Sequence, residues 1–270
     1  MSGKQARQFV GDSRAVSAVI GFILIFGILM LLLTVYQAQI VPQQNAQTEF
    51  THFEDTRDEL IDVRNSISRT GQAGDPQFPS VKLGTNYQSR TLTINPAPAS
   101  GTLQTNENYN ISIYNSSEPD DPINVSTRFV EYQPGYNEIT IESTWYENSV
   151  LYTDVSEGNN TIIEDQNIVT DGTKLKITAI ENEFQKTGTS RKTVEINRNQ
   201  SDIDLESFDE DENLTVEVPT RLDDSYWRGE FNDDDPITYH DVDEDSEINR
   251  LILNATDKDA VNINTVEINS

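Results

Sequence analysis

Cysteine is absent from the 270 residues, and histidine occurs only twice, as His52 and His240. The first absence removes disulfides, thiolate catalysis and cysteine zinc sites. The second excludes a three-histidine metal centre and most triad chemistries. Bases are scarce as well: 19 Lys and Arg stand against 46 Asp and Glu, a formal net charge of −27. Repulsion on that scale excludes nucleic-acid binding of the basic-patch kind. No Gly-rich phosphate loop or nucleophile elbow is present. With 46 carboxylates any acid pair can be drawn, so none is informative. The sequence therefore offers no catalytic residues, no metal ligands and no cofactor site, and an enzyme is not expected.

What is present divides into one greasy block and an acidic remainder. Dispersed acid with few lysines keeps a protein hydrated in concentrated salt, where the Debye length shrinks to ~3 Å at 1 M. This reads as a halophilic composition. From Ala15 to Thr48 no residue is charged, and the segment Ala15–Tyr36 reads AVSAVIGFILIFGILMLLLTVY. As a helix it rises about 33 Å, enough for a hydrocarbon core of ~30 Å. Its clearly polar residues, Ser17 and Thr34, can each bond back to their own helix. A membrane span is expected over residues 16–36.

Lys4, Arg7 and Arg14 oppose Asp12 before the span, a sum of +2 that leaves −29 on the rest. That asymmetry predicts a cytoplasmic N-terminus and an extracellular C-terminal domain, hence a single-pass protein of the cell membrane. Conventional signal cleavage behind the helix is disfavoured, because the run is long and Gln37-Ala38-Gln39-Ile40 is a poor site.

The stretch Arg14-Ala15-Val16-Ser17-Ala18-Val19-Ile20-Gly21 resembles the N-terminal signature of haloarchaeal type IV pilins and pilin-like proteins. In that family a basic and a small residue precede V-S-P-V-I-G, and a prepilin peptidase cuts on the cytoplasmic side. The resemblance implies cleavage between Ala15 and Val16 with Arg14 aiding recognition. It also implies a prepilin peptidase and other pilin-like subunits as partners. Ala18 departs from the family's usual proline. Further on, Tyr36–Pro42, the helix from Glu49-Phe50 to Arg64-Asn65, Val81-Lys82-Leu83-Gly84-Thr85 and Pro134-Gly135-Tyr136-Asn137 look like a group of haloarchaeal pilin-like surface proteins without an assigned activity.

After the span, residues 37–70 keep helical character as a stalk, with Pro42 expected to kink or interrupt it and Gly71 to close it. Phe53, Leu60 and Ile67 recur every seven residues as one apolar stripe. The parallel seam of Phe50, Arg57 and Arg64 carries two arginines, so the stripe is expected to pack on the chain's own β domain rather than in a coiled coil.

From residue 71 to 270 the period changes. Short β-branched and aromatic segments are expected as strands at 81–87, 90–95, 109–114, 123–132, 137–143, 149–154, 160–164, 174–180, 192–197, 214–218, 250–254 and 261–268. Leu175, Ile177 and Ala179 share one face, as do Val261 and Ile263. Turn residues such as Asn95-Pro96, Pro134-Gly135, Gly158-Asn159 and Asp171-Gly172 separate them. The fold class is thus a transmembrane helix and stalk helix followed by a mainly antiparallel, sandwich-like ectodomain. Residues 201–247 hold 19 acids against Arg221 and Arg228, which reads as a solvated insertion or a loop-rich edge.

Seven Asn-x-Ser/Thr sequons lie beyond the span, at Asn110, Asn115, Asn124, Asn159, Asn199, Asn213 and Asn254, where an extracellular glycosylation system would reach them. Asp241-Val242-Asp243-Glu244-Asp245 opens like a calcium loop, but Ser246 and Ile252 stand where Gly and Glu are needed. That leaves a weak cation patch with Asp233, Asp234 and Asp235, of a kind that so acidic a composition produces by itself. His52 and His240 read as surface residues, and Trp145, Tyr146 and Trp227 as core aromatics. The function expected is a pilin-like structural subunit of the cell surface. The alternative is a surface protein that never polymerises and serves as envelope component, adhesin or binding module.

Overall fold

Period and composition predict a helix that outlives the membrane span, and one continuous helical rod is what the chain forms. The computed structural model describes residues 13–155, 160–170, 173–199, 203, 205–209, 212–231, 236–243 and 248–269. The rod consists of α1 (Ser13–Val35), a π-helical turn (Tyr36–Ile40) and α2 (Val41–Ala73). At ~1.5 Å per residue it is roughly 90 Å long. The interruption expected at Pro42 takes the form of the π-turn. An α-helical register would press the proline ring against the carbonyl of Ala38, and the wider turn, closed by Val41 N–H donating to the Tyr36 carbonyl, avoids this without ending the helix.

The helix ends one turn later than Gly71 led us to expect. Gly74 closes it in the left-handed conformation (φ 82°), its N–H donating to the Thr70 carbonyl. Gly71 instead lies against a strand, where a β-carbon would come within 2.4 Å of Thr178 Oγ1. Gly74 has room for a side chain, so Gly74→Ala tests the backbone alone. It should cost about 1 kcal/mol in chemical denaturation, the penalty of holding an L-residue at positive φ.

The rest of the described chain is mostly antiparallel sheet in two layers, with α2 as a third. The middle layer joins a six-stranded sheet (185–188, 100–105, 130–135, 144–147, 150–153, 161–164) to a four-stranded one (195–199, 261–269, 174–180, 169–170). The parallel pair Lys174–Ile180 with Val261–Asn269 is the exception to the antiparallel rule. The outer sheet runs 237–243, 249–255, 214–220, 109–115, 118–127. Between helix and middle layer lies a core of Leu60, Val63 and Ile67 with Leu83, Leu103, Tyr132, Leu151, Ile196 and Val266. Between the two β layers lies a larger one containing Ile111, Trp145, Tyr152, Leu175, Ile177, Val216, Trp227 and Leu253. Strand Val150–Thr153 serves both, with Leu151 facing the helix and Val150 and Tyr152 facing the outer sheet.

Some expected strands differ from those formed. Residues 90–95 and 137–143 have strand-like composition but run as loops, and the first lies along the rod. Strands at 100–105, 144–147, 185–188 and 237–243 fall where no strand was expected. The expected run 123–132 is two strands, and Pro134-Gly135 ends a strand rather than making a turn. The acidic segment is not a solvated insertion: its Leu214–Thr220 forms the centre of the outer sheet and Ile237–Asp243 an edge. Gly158, Asn159, Asp171 and Gly172 lie outside the described residues, as do Asp233, Asp234, Asp235, Glu244, Asp245 and Ser246.

Candidate functional site: the free apolar helix and its collar

The helical rod has two unlike ends. No described residue from Ala18 to Ile40 is buried, and Phe22 is 70% exposed although it belongs to the most apolar part of the chain. Thr34 satisfies its hydroxyl on the Met30 carbonyl at 2.8 Å, as expected of a polar residue in an apolar helix. Residues Arg14, Ala15 and Val16 of the expected cleavage site lie within α1, just ahead of this stretch. Among the described residues this is the one helix long and apolar enough to cross a membrane.

From Val41 onward one side of the rod is buried at helical spacing: Val41, Asn45, Glu49, His52, Thr56, Leu60, Val63, Ile67 and Thr70. The stripe does pack on the chain's own β domain. Leu60 and Ile67 belong to it, but Phe53 is only half-buried, and its upper half is polar rather than apolar.

That polar half is gripped by a collar of loops. Glu49 is fully buried, and its carboxylate accepts N–H bonds from Asn137 at 2.8 Å, Glu138 at 2.9 Å and Ile139 at 3.0 Å, plus the Tyr87 hydroxyl. Burial and this neighbouring carboxylate push the Tyr87 phenol up to about 12. One turn on, His52 is 2% exposed, with Nδ1 2.7 Å from the Tyr136 hydroxyl. The surface role expected of His52 is therefore wrong; its Nε2 is buried with no partner. Burial, then the nearby Lys82 charge, holds the imidazole below its usual range. Thr56 and Glu59 take the next level: Thr56 Oγ1 donates to the Lys82 carbonyl, and Lys82 N–H donates to Glu59 at 2.6 Å.

Glu49, Lys82 and Tyr136-Asn137, far apart along the sequence, thus come together on the buried face of the helix. Arg64, expected to spoil a helix seam, is buried. Its Nε donates to the Ser149 carbonyl and its Nη2 to the Asp165 carbonyl, both at 2.6 Å. Ser149 belongs to the turn Asn148-Ser149, where both residues take positive φ (45° and 64°), as a two-residue type I′ hairpin connection requires.

A second polar cluster, unforeseen in the sequence, lies between the β layers. Glu147 is 1% exposed and accepts from the Thr220 hydroxyl at 2.6 Å, the Arg221 N–H at 3.0 Å and the Tyr152 hydroxyl at 3.2 Å. Thr220 Oγ1 also accepts the Trp227 indole N–H at 3.0 Å. The Arg221 guanidinium stacks 3.9 Å over the Trp145 ring and reaches Asp154, which accepts the Trp145 indole as well. Trp145, Tyr146 and Trp227 are core aromatics as expected.

The described sequons favour one place. Asn110 and Asn124 are exposed on adjacent strands of the outer sheet, and Asn254 is half-exposed on the same sheet. Asn213 is exposed just before strand Leu214–Thr220, and Asn115 is half-buried at the end of its strand. Asn199 is half-buried, its amide donating to Glu181. Asn110, Asn124 and Arg250 line a polar groove of about 450 Å³. Asp241 and Asp243 sit in the outer edge strand, and His240 is exposed there. Among the described residues no three His, Asp or Glu side chains converge as metal ligands.

No family model matches the chain, and no solved structure matches it. An uncharacterized protein of Archaeoglobus fulgidus is 34% identical to it over 93 residues. The match covers 34% of this chain and 16% of that protein, so it carries neither a family nor an activity.

Proposed function

We propose that the chain is a pilin-like, membrane-anchored surface subunit whose free apolar helix moves from the bilayer into the helical core of a filament. One observation carries the reading: a long uncharged helix leaves every described side chain from Ala18 to Ile40 without burial, while its continuation is sewn into the β domain. At ~25 cal/mol per Å² of apolar surface, such a helix needs lipid or other helices around it. Gly21 and Gly27 have nothing of this chain near them, so close helix contacts are sterically open there.

The charge asymmetry around the span supports a cytoplasmic N-terminus and an extracellular, brine-facing β domain. The resemblance of Arg14–Gly21 to the pilin signature supports cleavage by a prepilin peptidase. Exposed sequons on the outer sheet support glycosylation of Asn110 and Asn124. The reading assigns no reaction to the chain.

Intact-mass measurement of the protein from its native membrane tests the proposal. The mature chain should begin at Val16, and Arg14→Ala should leave more unprocessed precursor. A mature chain that still carries Met1 or Ser2 would remove the pilin route. It would leave a bitopic surface protein that stays in the membrane, a reading favoured by the departure at Ala18.

A further inference from the structure

The loop 88–96 descends along the rod toward the apolar helix and is tied to it in two places. Arg90 donates to Gln44 at 2.9 Å and Asn45 at 3.2 Å, and also to Asn95. Lower down, the Gln37 side chain holds the main chain of Ile94 on both sides: Nε2 donates to its carbonyl at 2.7 Å, and its N–H donates to Oε1 at 3.1 Å. Gln37 directly follows Tyr36, where the apolar run ends, and belongs to the π-turn. The tip between these ties carries Leu92, 77% exposed, and Ile94, 83% exposed. Two aliphatic side chains are thus held out at the level where the span leaves the hydrocarbon.

Composition points the same way. Between Asp75 and Glu107 there is no acid in 31 residues, although 46 acids in 270 residues would put about five there. Gln37–Thr48, the facing part of the rod, is uncharged. The acid-free stretch includes the loop 88–96, and the part of the rod that this loop is bonded to is uncharged as well. The one charge in the loop, Arg90, is cationic and bonded to neutral amides alone. An acidic loop would be repelled from lipid headgroups; this one is not.

We infer that the tip Leu92–Ile94 is a second membrane contact, resting in the headgroup and acyl boundary of the leaflet from which the helix emerges. It adds apolar burial beside the anchor and fixes the tilt of the β domain over the bilayer. The inference rests on the helix crossing the membrane but not on polymerisation.

The absence of native cysteine makes the test clean. The full-length chain would be reconstituted at low protein density in phosphatidylcholine–phosphatidylglycerol vesicles. It would carry one nitroxide label at Leu92→Cys, Ile94→Cys, Ile25→Cys in the span or Asp121→Cys on the outer sheet. Collision with oxygen, which concentrates in lipid, is compared with collision with an aqueous nickel chelate. Labels at 92 and 94 should be shielded from nickel several-fold relative to 121 and favour oxygen, as 25 does. If 25 reads as lipid while 92 and 94 match 121, the inference falls and the anchor stands. If all four read as aqueous, the anchor falls and takes the inference with it. Shielding at 92 and 94 that appears only at high protein density would assign the tip to a second copy and overturn the lipid contact.

Discussion

Glu49→Ala is expected to lower the unfolding free energy by about 3–5 kcal/mol, the larger of two effects that expose how the collar is built. The carboxylate takes three main-chain N–H groups in a row, Asn137, Glu138 and Ile139, together with the Tyr87 hydroxyl. A buried donor stripped of its acceptor costs about 1–3 kcal/mol, and water entering the emptied space recovers part of the sum. Glu49→Gln should fall between, because its amide nitrogen would face N–H or O–H donors at one of the two oxygen positions. Tyr87→Phe removes one donor with the acceptor's other bonds intact and should cost only about 1 kcal/mol. Urea unfolding of the full chain in detergent, read as midpoint shifts at constant slope, ranks the three. A loss below 1 kcal/mol for Glu49→Ala would mean that loop 134–139 holds its place without the helix.

The same residue shows what a sequence discloses and what it hides. The long apolar helix was legible because twenty-odd uncharged residues have few other fates, and the β character of the domain that follows because period two is read directly from Leu175, Ile177 and Ala179. The stalk's docking was legible from Leu60 and Ile67. The polar half of the stripe was not, since Asn45, Glu49, His52 and Thr56 look like a solvated face until partners arrive from residues 82 to 139. The cap was misplaced because Gly71 and Gly74 are both glycines, and only packing against Thr178 distinguishes them. Strand boundaries were lost wherever polar composition overrode pairing. Thr102 and Gln104 in one strand, and Asp241 and Asp243 in another, are outward positions that the pattern of burial explains only after pairing is known.

These misses share a cause. In a chain with so much acid, most polar residues are surface by prior, and the few buried ones are recognisable only by who meets them. The buried polar groups lie where elements distant in sequence must be joined. Glu49 joins the rod to loop 134–139, Arg64 joins it to the hairpin turn and Asp165, and Glu147 joins the middle layer to the outer sheet. With no disulfide available, these junctions do the work of fixing register between layers that apolar packing alone leaves free to slide. Ahead of Gln37, which bonds to Ile94, the described part of the apolar helix has no buried residue to make such a junction.

Glu147 gives the second large effect, in the pH dependence of stability. Burial pushes its carboxyl up to about 7, against the opposing pull of the Thr220 hydroxyl, the Arg221 N–H and the Arg221 charge. Unfolded, the group titrates near its ordinary value of ~4.3. The folded state therefore holds the proton over a window where the unfolded state releases it. Its contribution is greatest below about pH 4.5, declines as pH rises toward 7, and is constant above; the decline amounts to about 3 kcal/mol. His52 acts in the opposite sense, because an imidazole held below its usual range costs stability as pH falls below ~6.5. The native profile blends the two, so its shape alone decides nothing. Glu147→Gln stays neutral at every pH and removes one of them. The difference in unfolding free energy between Glu147→Gln and the native chain should shift by about 3 kcal/mol in the variant's favour from pH 4.5 to pH 8. Whatever fixed cost the amide incurs against Arg221 N–H cancels from that difference. Parallel stability curves across the window would show that Glu147 is ionised in the folded protein throughout, its three hydrogen-bond donors outweighing the loss of water.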